Sequence, residues 1–241
     1  MPTGAIVVIP AFNEEAALGN VLAAIPKGLA RAVVVANNGS TDQTRQVALD
    51  NGAVVVDESR RGYGNACLAG IKKAREWDPE IIVFLDGDFS DYPEQMARLV
   101  DPIASGQTDF VVGSRMRGRS SRGALLPQAR MGNWLAGSIM RVVWGAGFTD
   151  LGPFRAIRLD ALDRLNMQDR TYGWTVEMQL KAVEAGLRWM EVPVDYRRRI
   201  GTSKVTGTVR GTVGASLKIL SILFGYAATR GRRTYPGPPG E

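Results

Sequence analysis

Asp86-Gly87-Asp88 stands directly after the apolar run Ile81-Ile82-Val83-Phe84-Leu85. Two carboxylates flanking a glycine can share one divalent cation while the backbone comes close to a ligand. Mg²⁺ or Mn²⁺ needs little more than one or two carboxylates and the oxygens of a pyrophosphate. Acids at a strand end can also be merely solvated or cap a helix, so the pair takes its meaning from its surroundings. Arg115, Arg117, Arg119, Arg122 and Arg130 crowd one later segment and offer guanidinium forks for an anion. Solvated loop arginines account for part of that group. Arg197-Arg198-Arg199 through Ser203-Lys204 is a second basic turn, able to close over a phosphate or to remain a surface charge run.

What the chain lacks narrows the chemistry further. Its 241 residues contain no histidine, which removes Ser-His and Cys-His nucleophiles, His-ligated zinc and a histidine general base. The single cysteine, Cys67, excludes an intramolecular disulfide and a cysteine-cluster metal site, and fits a reducing compartment. Any metal must therefore be held by oxygen.

The elements that must position these groups read as a parallel sheet. Short, continuous apolar runs at Gly4–Pro10, Ala32–Ala36, Ala53–Val56, Ile81–Leu85 and Phe110–Gly113 are strands buried on both faces. Helix-like stretches separate them, so the fold class is α/β with helices on both sides of the sheet. Ligands in such sheets collect at the carboxyl ends of the strands. The polar, glycine-rich turns fall at those ends: Pro10–Glu14, Asn37–Asp42, Asp86–Asp91 and Gly113–Arg115. After residue 115 the alternation breaks down. Residues 116–128 read as a basic loop, 131–148 and 175–186 as helices, and Trp189–Val194 as a further strand.

Taken together, the motifs resemble family 2 glycosyltransferases of the GT-A fold, and among them the polyprenyl-phosphate branch that includes dolichyl-phosphate mannose synthases. The matching pieces occur in order: Val8–Glu15, Asn38–Thr44, Arg61–Ala66, Phe84–Glu94, Val112–Arg115 and Asp150–Arg155. The resemblance implies a mostly parallel, Rossmann-like sheet flanked by helices, with a C-terminal amphipathic helical extension. Residues 1–210 would form the GT-A domain, 211–230 the amphipathic helix and 231–241 a disordered tail. It implies an inverting, metal-dependent hexosyl transfer, of glucose or mannose, from a nucleotide-diphosphate sugar to a polyprenyl phosphate. Pro10, Ala11 and Glu14 would line the nucleoside pocket, and Asn38 would replace the acid that holds the base. Asp86 would meet the ribose or sugar, and Asp88, with Ser90 or Asp91 nearby, would ligate Mg²⁺ or Mn²⁺. Arg115 and Arg130 would grip the acceptor phosphate, and Asp150 and Gly152 would shape the sugar pocket; Lys204, in the second basic turn, is a further substrate-binding candidate from its own charge and place. Asn37-Asn38 stands where many relatives carry an acidic pair, which leaves the base open.

Charge distribution points the same way. From Asp195 to Glu241 there are nine basic residues against two acidic ones, so the net charge of +6 is a C-terminal property. Such a segment suits an anionic membrane surface beside an amphipathic helix, with Leu135–Phe148 and Val213–Ala228 as the candidate stretches. No run reaches the ~18 apolar residues of a membrane span. The first residues carry no signal-peptide pattern, so the expected location is cytoplasmic, peripheral on the inner membrane face. A transferase with a soluble acceptor is the nearest rival. A nucleic-acid module is disfavoured, because the basic positions are not interleaved with aromatic stacking residues. The sequence leaves a homo-oligomer open.

Overall fold

The computed structural model describes residues 4–201 and 209–237. In chain order the elements are β1 (Ala5–Ala11), α1 (Glu15–Ala24), β2 (Ala30–Asn37), α2 (Thr44–Asp50), β3 (Val54–Asp57), α3 (Tyr63–Ala74) and β4 (Ile81–Phe84). Then follow α4 (Ala97–Ala104), β5 (Phe110–Ser114), α5 (Pro127–Trp144), β6 (Arg155–Arg158), α6 (Leu159–Leu165), α7 (Trp174–Glu184), β7 (Trp189–Pro193) and α8 (Val209–Ala228). The seven strands form one sheet in the order β3-β2-β1-β4-β6-β5-β7.

All seven residues of β1 are buried, as expected for a central strand with helices on both faces. One face packs Ile6, Val8, Phe84, Phe110 and Ile157 against Trp174, Met178 and Leu223. The other packs Val7, Ile9, Val83 and Val111 against Leu18, Leu99 and Val100. Gly70 lets α3 lie close on β1, because a Cβ there would meet the Val8 side chain at 2.4 Å.

β6 is the departure from the parallel pattern. It runs antiparallel between β4 and β5, pairing Phe84 with Arg155 and Val112 with Arg155. Its amino end therefore lies at the same edge as the carboxyl ends of the parallel strands. That reversal carries the Asp150–Phe154 loop into the site. The sequence did not announce β6, because Arg155-Ala156-Ile157-Arg158 is not an apolar run.

The helical extension forms, with α8 packed against α5 and α7. Within the segment read as a disordered tail, residues 231–237 turn back along the fold. The Arg233 guanidinium pairs with Glu184 at 3.1 Å, the Tyr235 hydroxyl donates to the same carboxylate at 3.0 Å, and Arg164 Nε donates to the Pro236 carbonyl at 2.8 Å. A proline- and glycine-rich composition gave no sign of these anchors. Residues 238–241 lie outside the described residues, as do the first three.

Candidate active site

A cavity of about 630 Å³ opens where the carboxyl ends of β1, β2, β4 and β5 meet. One wall is Pro10, Ala11, Glu14 and Asn38, the floor is Asp86, Gly87 and Asp88, and Arg115 and Arg199 stand on the far side. Gln128, Gly132 and Asn133 of α5, with Ala215, Ser216 and Ile219 of α8, close it with a wall of mixed apolar and uncharged polar character. The structure thus brings Pro10, Ala11, Glu14, Asn38, Asp86, Asp88 and Arg115 to one cavity. Ser90 and Asp91 are buried behind Asp88 and do not line it. Asp150 and Gly152 act one layer back, through Arg115. Arg130 is exposed on α5 beside the cavity-lining Ala129, and Lys204 lies outside the described residues.

The acidic turn is built as a holder. Phe89 has φ 61°, a left-handed conformation uncommon for a bulky residue. Arg197 fixes it, with its guanidinium 3.4 Å from the Phe89 ring centroid and Nε donating to the Phe89 carbonyl at 2.7 Å. The turn then lets Ser90 satisfy one oxygen of Asp88: the Ser90 N–H donates to Oδ1 at 2.9 Å and its hydroxyl donates at 2.5 Å. The other oxygen, Oδ2, meets Arg199 Nη1 at 2.8 Å.

Arg115 is held as a fork. Its Nε and Nη2 donate to the two oxygens of Asp150 at 2.8 and 2.7 Å, and its backbone N–H adds a third bond at 2.8 Å. Asn133 of α5 donates to the same carboxylate at 2.6 Å. Burial alone would lower the pKa of Arg115, but the Asp150 charge more than reverses it, so the guanidinium stays charged. Gly152 permits this packing. A Cβ there would come within 2.9 Å of the Gly113 carbonyl and 3.3 Å of Asp150 Oδ2. Arg155, fully buried beneath, is satisfied by carbonyls: Nε donates to Gly152 at 3.1 Å and Nη1 to Thr175 at 3.0 Å.

Asn38 is engaged more fully than its expected role implies. Its amide donates to the Glu58 and Arg60 carbonyls at 3.0 and 2.8 Å, and its oxygen accepts from the Gly62 N–H at 2.8 Å. It ties down the loop before α3 from the cavity wall. Beyond that loop, Gly64 admits the 169–170 backbone, since a Cβ there would lie 2.1 Å from the Asp169 carbonyl. Thus the Gly62-Tyr63-Gly64 pair serves close backbone packing. Sequence reasoning gave no role to Tyr63, whose hydroxyl donates to Asp86 Oδ1 at 3.2 Å, or to Arg61, which stacks 3.8 Å from the Phe12 ring centroid.

Crowded carboxylates set the electrostatics. Burial, then the Asp88 charge, push Asp86 up to about 7, against the opposing pull of Arg199. Asp91 is raised well above the ordinary carboxylate range by burial and by Asp86, and both its oxygens lack a hydrogen-bond partner among the described residues. A raised folded-state pKa means that the unfolded chain releases the Asp86 proton first, near 4, while the fold retains it to about 7. The metal-free protein should therefore lose stability as pH rises through that window. Urea melts in chelator across pH 4 to 7 test this, and Asp86→Asn should flatten the slope.

The donor chemistry suits a hard divalent cation. Among the described residues no three acidic or sulfur side chains converge tightly enough to hold one unaided. Asp88 on the cavity floor nevertheless demands a positive charge, which Arg199 supplies here. One or two carboxylates plus ligand oxygens is an ordinary Mg²⁺ or Mn²⁺ arrangement.

A doubly covered α/β sheet with an acidic turn at its carboxyl edge, and an antiparallel strand delivering a loop to that edge, is the architecture of GT-A glycosyltransferases. Glucosyl-3-phosphoglycerate synthase from Mycobacterium tuberculosis, crystallised with phosphoglyceric acid, superposes with a TM-score of 0.73 at 21% identity, covering 94% of this chain and 80% of that one. The same enzyme crystallised with Mn²⁺ and uridine diphosphate gives 0.70 at 21% identity over the same shares. The profile of glycosyl transferase family 2 matches residues 6–165, and the chain belongs to that family. An uncharacterized glycosyltransferase of M. tuberculosis is 39% identical over 219 residues, spanning 90% of this chain and 96% of the relative. The dolichyl-phosphate hexose transferase of Haloferax volcanii is 32% identical over 88% and 91% of the two chains, and the undecaprenyl-phosphate mannosyltransferase of Micrococcus luteus 29% over 86% and 89%.

Proposed function

We propose that this enzyme transfers a hexose, glucose or mannose, from a nucleotide-diphosphate sugar to a polyprenyl phosphate at a membrane surface, with inversion. The observation that carries the reading is the joining of two unlike walls in one cavity. The Asp86–Asp88 floor and the Pro10–Glu14 wall suit a nucleotide-sugar, and the uncharged wall from α5 and α8, with Ala129, Ala215 and Ile219 as its apolar part, suits a lipid-borne acceptor.

The chemistry needs few parts. An acceptor phosphate oxygen attacks the sugar C1 as the C1–O bond to the diphosphate breaks, and the electron pair leaves with the nucleotide. The acceptor is already ionised at neutral pH, so the protein need not remove a proton, consistent with a chain that has no histidine. Mg²⁺ or Mn²⁺, held by Asp88 and ligand oxygens, would neutralise the departing diphosphate. Arg115, locked by Asp150, presents a fixed positive charge, and Arg130, exposed on α5 next to the cavity-lining Ala129, would be available to an acceptor phosphate. Asp86 orients sugar or ribose from the floor.

The outer faces of α5 and α8 support the membrane part of the reading. Each helix has an inward apolar stripe and a second one facing out. On α8, Val213, Leu217 and Phe224 are exposed, while Ala215 and Leu223 are buried. On α5, Met131, Trp134 and Val142 are exposed, Val142 at 85%, while Ala136 and Met140 are buried. Arg130 and Arg141 on α5, Arg122 before it and Arg230 just after α8 are also exposed. Exposed apolar residues on two helices that pack together, in a chain with exposed arginines on the same segments, fit an anionic bilayer surface. No described helix is long and apolar enough to cross a membrane, so contact would be interfacial.

The test supplies labelled nucleotide-hexoses, Mn²⁺ and anionic vesicles carrying undecaprenyl phosphate. Label should enter the organic phase as acid-labile lipid, and the protein should float with the vesicles. Trp134→Glu should cut flotation severalfold. Label transferred only to a water-soluble phosphorylated acceptor, with the protein left in the aqueous layer, would establish the rival reading.

A further inference from the structure

Arg199 stands closer to the acidic turn than a loop arginine would. Its Nη1 lies 2.8 Å from Asp88 Oδ2, and the two side chains are 32% and 6% exposed. The second oxygen of Asp88 is committed to Ser90, so Oδ2 is the one left to face a cation. The segment that carries Arg199 is zipped onto the turn: the Arg197 N–H donates to the Ser90 carbonyl at 2.9 Å and the Ile200 N–H to the Asp88 carbonyl at 3.0 Å. Arg197 completes the attachment, stacking on Phe89 and lying 4.1 Å from the Tyr92 ring centroid. Arg199 also interacts with Tyr196 and with the Asp86 charge, so it offsets part of the local negative field.

We infer that Arg199 is a built-in counter-ion that competes with a divalent cation for the Asp88 carboxylate, so that the cation gains Asp88 most readily together with an anionic ligand able to draw Arg199 away. A guanidinium and a divalent cation on one carboxylate oxygen repel each other, so occupancy by one weakens the other. Each state therefore competes with the other, and the apparent affinity for metal alone is scaled down to the fraction of molecules in which Arg199 is undocked. A diphosphate reverses the balance, because its oxygens accept from Arg199 and coordinate the metal at once. Metal and nucleotide then bind with positive coupling, typically about 5- to 150-fold for two linked sites. Arg199 is a positioning residue in this scheme. The scheme rests on the reading of the cavity as a metal-diphosphate site.

Binding of Mn²⁺ alone, read from the electron paramagnetic resonance of the free ion, tests it without any turnover. Arg199→Met should bind Mn²⁺ about tenfold or more tightly than the unaltered enzyme, within that coupling range. Arg199→Lys should stay near the unaltered value, and thermal melts verify that both variants fold. Saturating UDP or GDP should tighten Mn²⁺ in the unaltered enzyme and much less in Arg199→Met. Equal Mn²⁺ affinity in the unaltered enzyme and Arg199→Met, both responding to nucleotide, would overturn the counter-ion role and leave the transferase reading standing. No Mn²⁺ binding by either protein, even with UDP and GDP, would overturn both.

Discussion

Asp88→Ala should lower hexosyl transfer by about 10³-fold while leaving the fold intact. That factor corresponds to about 4 kcal/mol of lost stabilisation of the departing diphosphate, the scale on which a divalent cation acts. Asp88 is an acid on the cavity floor whose Oδ2, among the described residues, is met by the cationic Arg199. Removing it would take away the carboxylate proposed to hold the metal, and Ser90 and Asp91, buried behind the wall, do not line the cavity to replace it. Fold loss is not expected, since the turn keeps its backbone bonds from Arg197 and Ile200. Initial rates under saturating donor and Mn²⁺ measure the effect. Raising Mn²⁺ should recover little activity, whereas Asp88→Glu should retain a measurable fraction.

Stability, rather than rate, should show the largest response at Asp150. Its carboxylate accepts the Arg115 fork, the Arg115 N–H and the Asn133 amide, and its side chain is 0% exposed. Asp150→Ala would strand a buried guanidinium and a buried amide. Breaking a buried ion pair in this way costs about 3–5 kcal/mol, since the remaining charge has no compensation. At roughly 2–4 °C per kcal/mol for a chain of this size, the melting temperature should fall by about 10 °C. Asp150→Asn, which keeps the shape and one acceptor, should lose distinctly less. Urea unfolding of the two variants separates lost charge from lost packing. A drop below about 1 kcal/mol for Asp150→Ala would mean that Arg115 finds water or another partner.

How far the sequence could be read depended on where the information lay. The parallel strands were legible because burial on both faces writes itself as unbroken apolar runs, as in Ile6–Ile9 and Ile81–Leu85. The turns at their carboxyl ends were legible because Asp86, Asp88 and Asn38 are polar residues at a topologically fixed edge. What escaped was compensation at a distance. Arg155 is fully buried in β6, an environment no local pattern reveals, because its partners are carbonyls of Gly152 and Thr175. Likewise nothing near Asn38 foretold that its amide spans to Glu58, Arg60 and Gly62. Arg115 was legible as a cavity arginine, but not as one clamped by Asp150. Arg197 and Arg199 look equivalent in sequence, yet one stacks on aromatic rings and the other meets the acidic floor.

The central claim is that Asp88 and a nucleotide diphosphate hold a divalent cation between them. Crystals grown with a sugar nucleotide and Mn²⁺, measured at the manganese absorption edge, test it most directly. An anomalous peak about 2.1–2.3 Å from an Asp88 oxygen, bridged to the diphosphate and with Arg199 displaced, is the predicted result, with oxygen distances typical of small hard cations. A diphosphate bound in the cavity with no anomalous peak at Asp88, and Arg199 still in place, would contradict it.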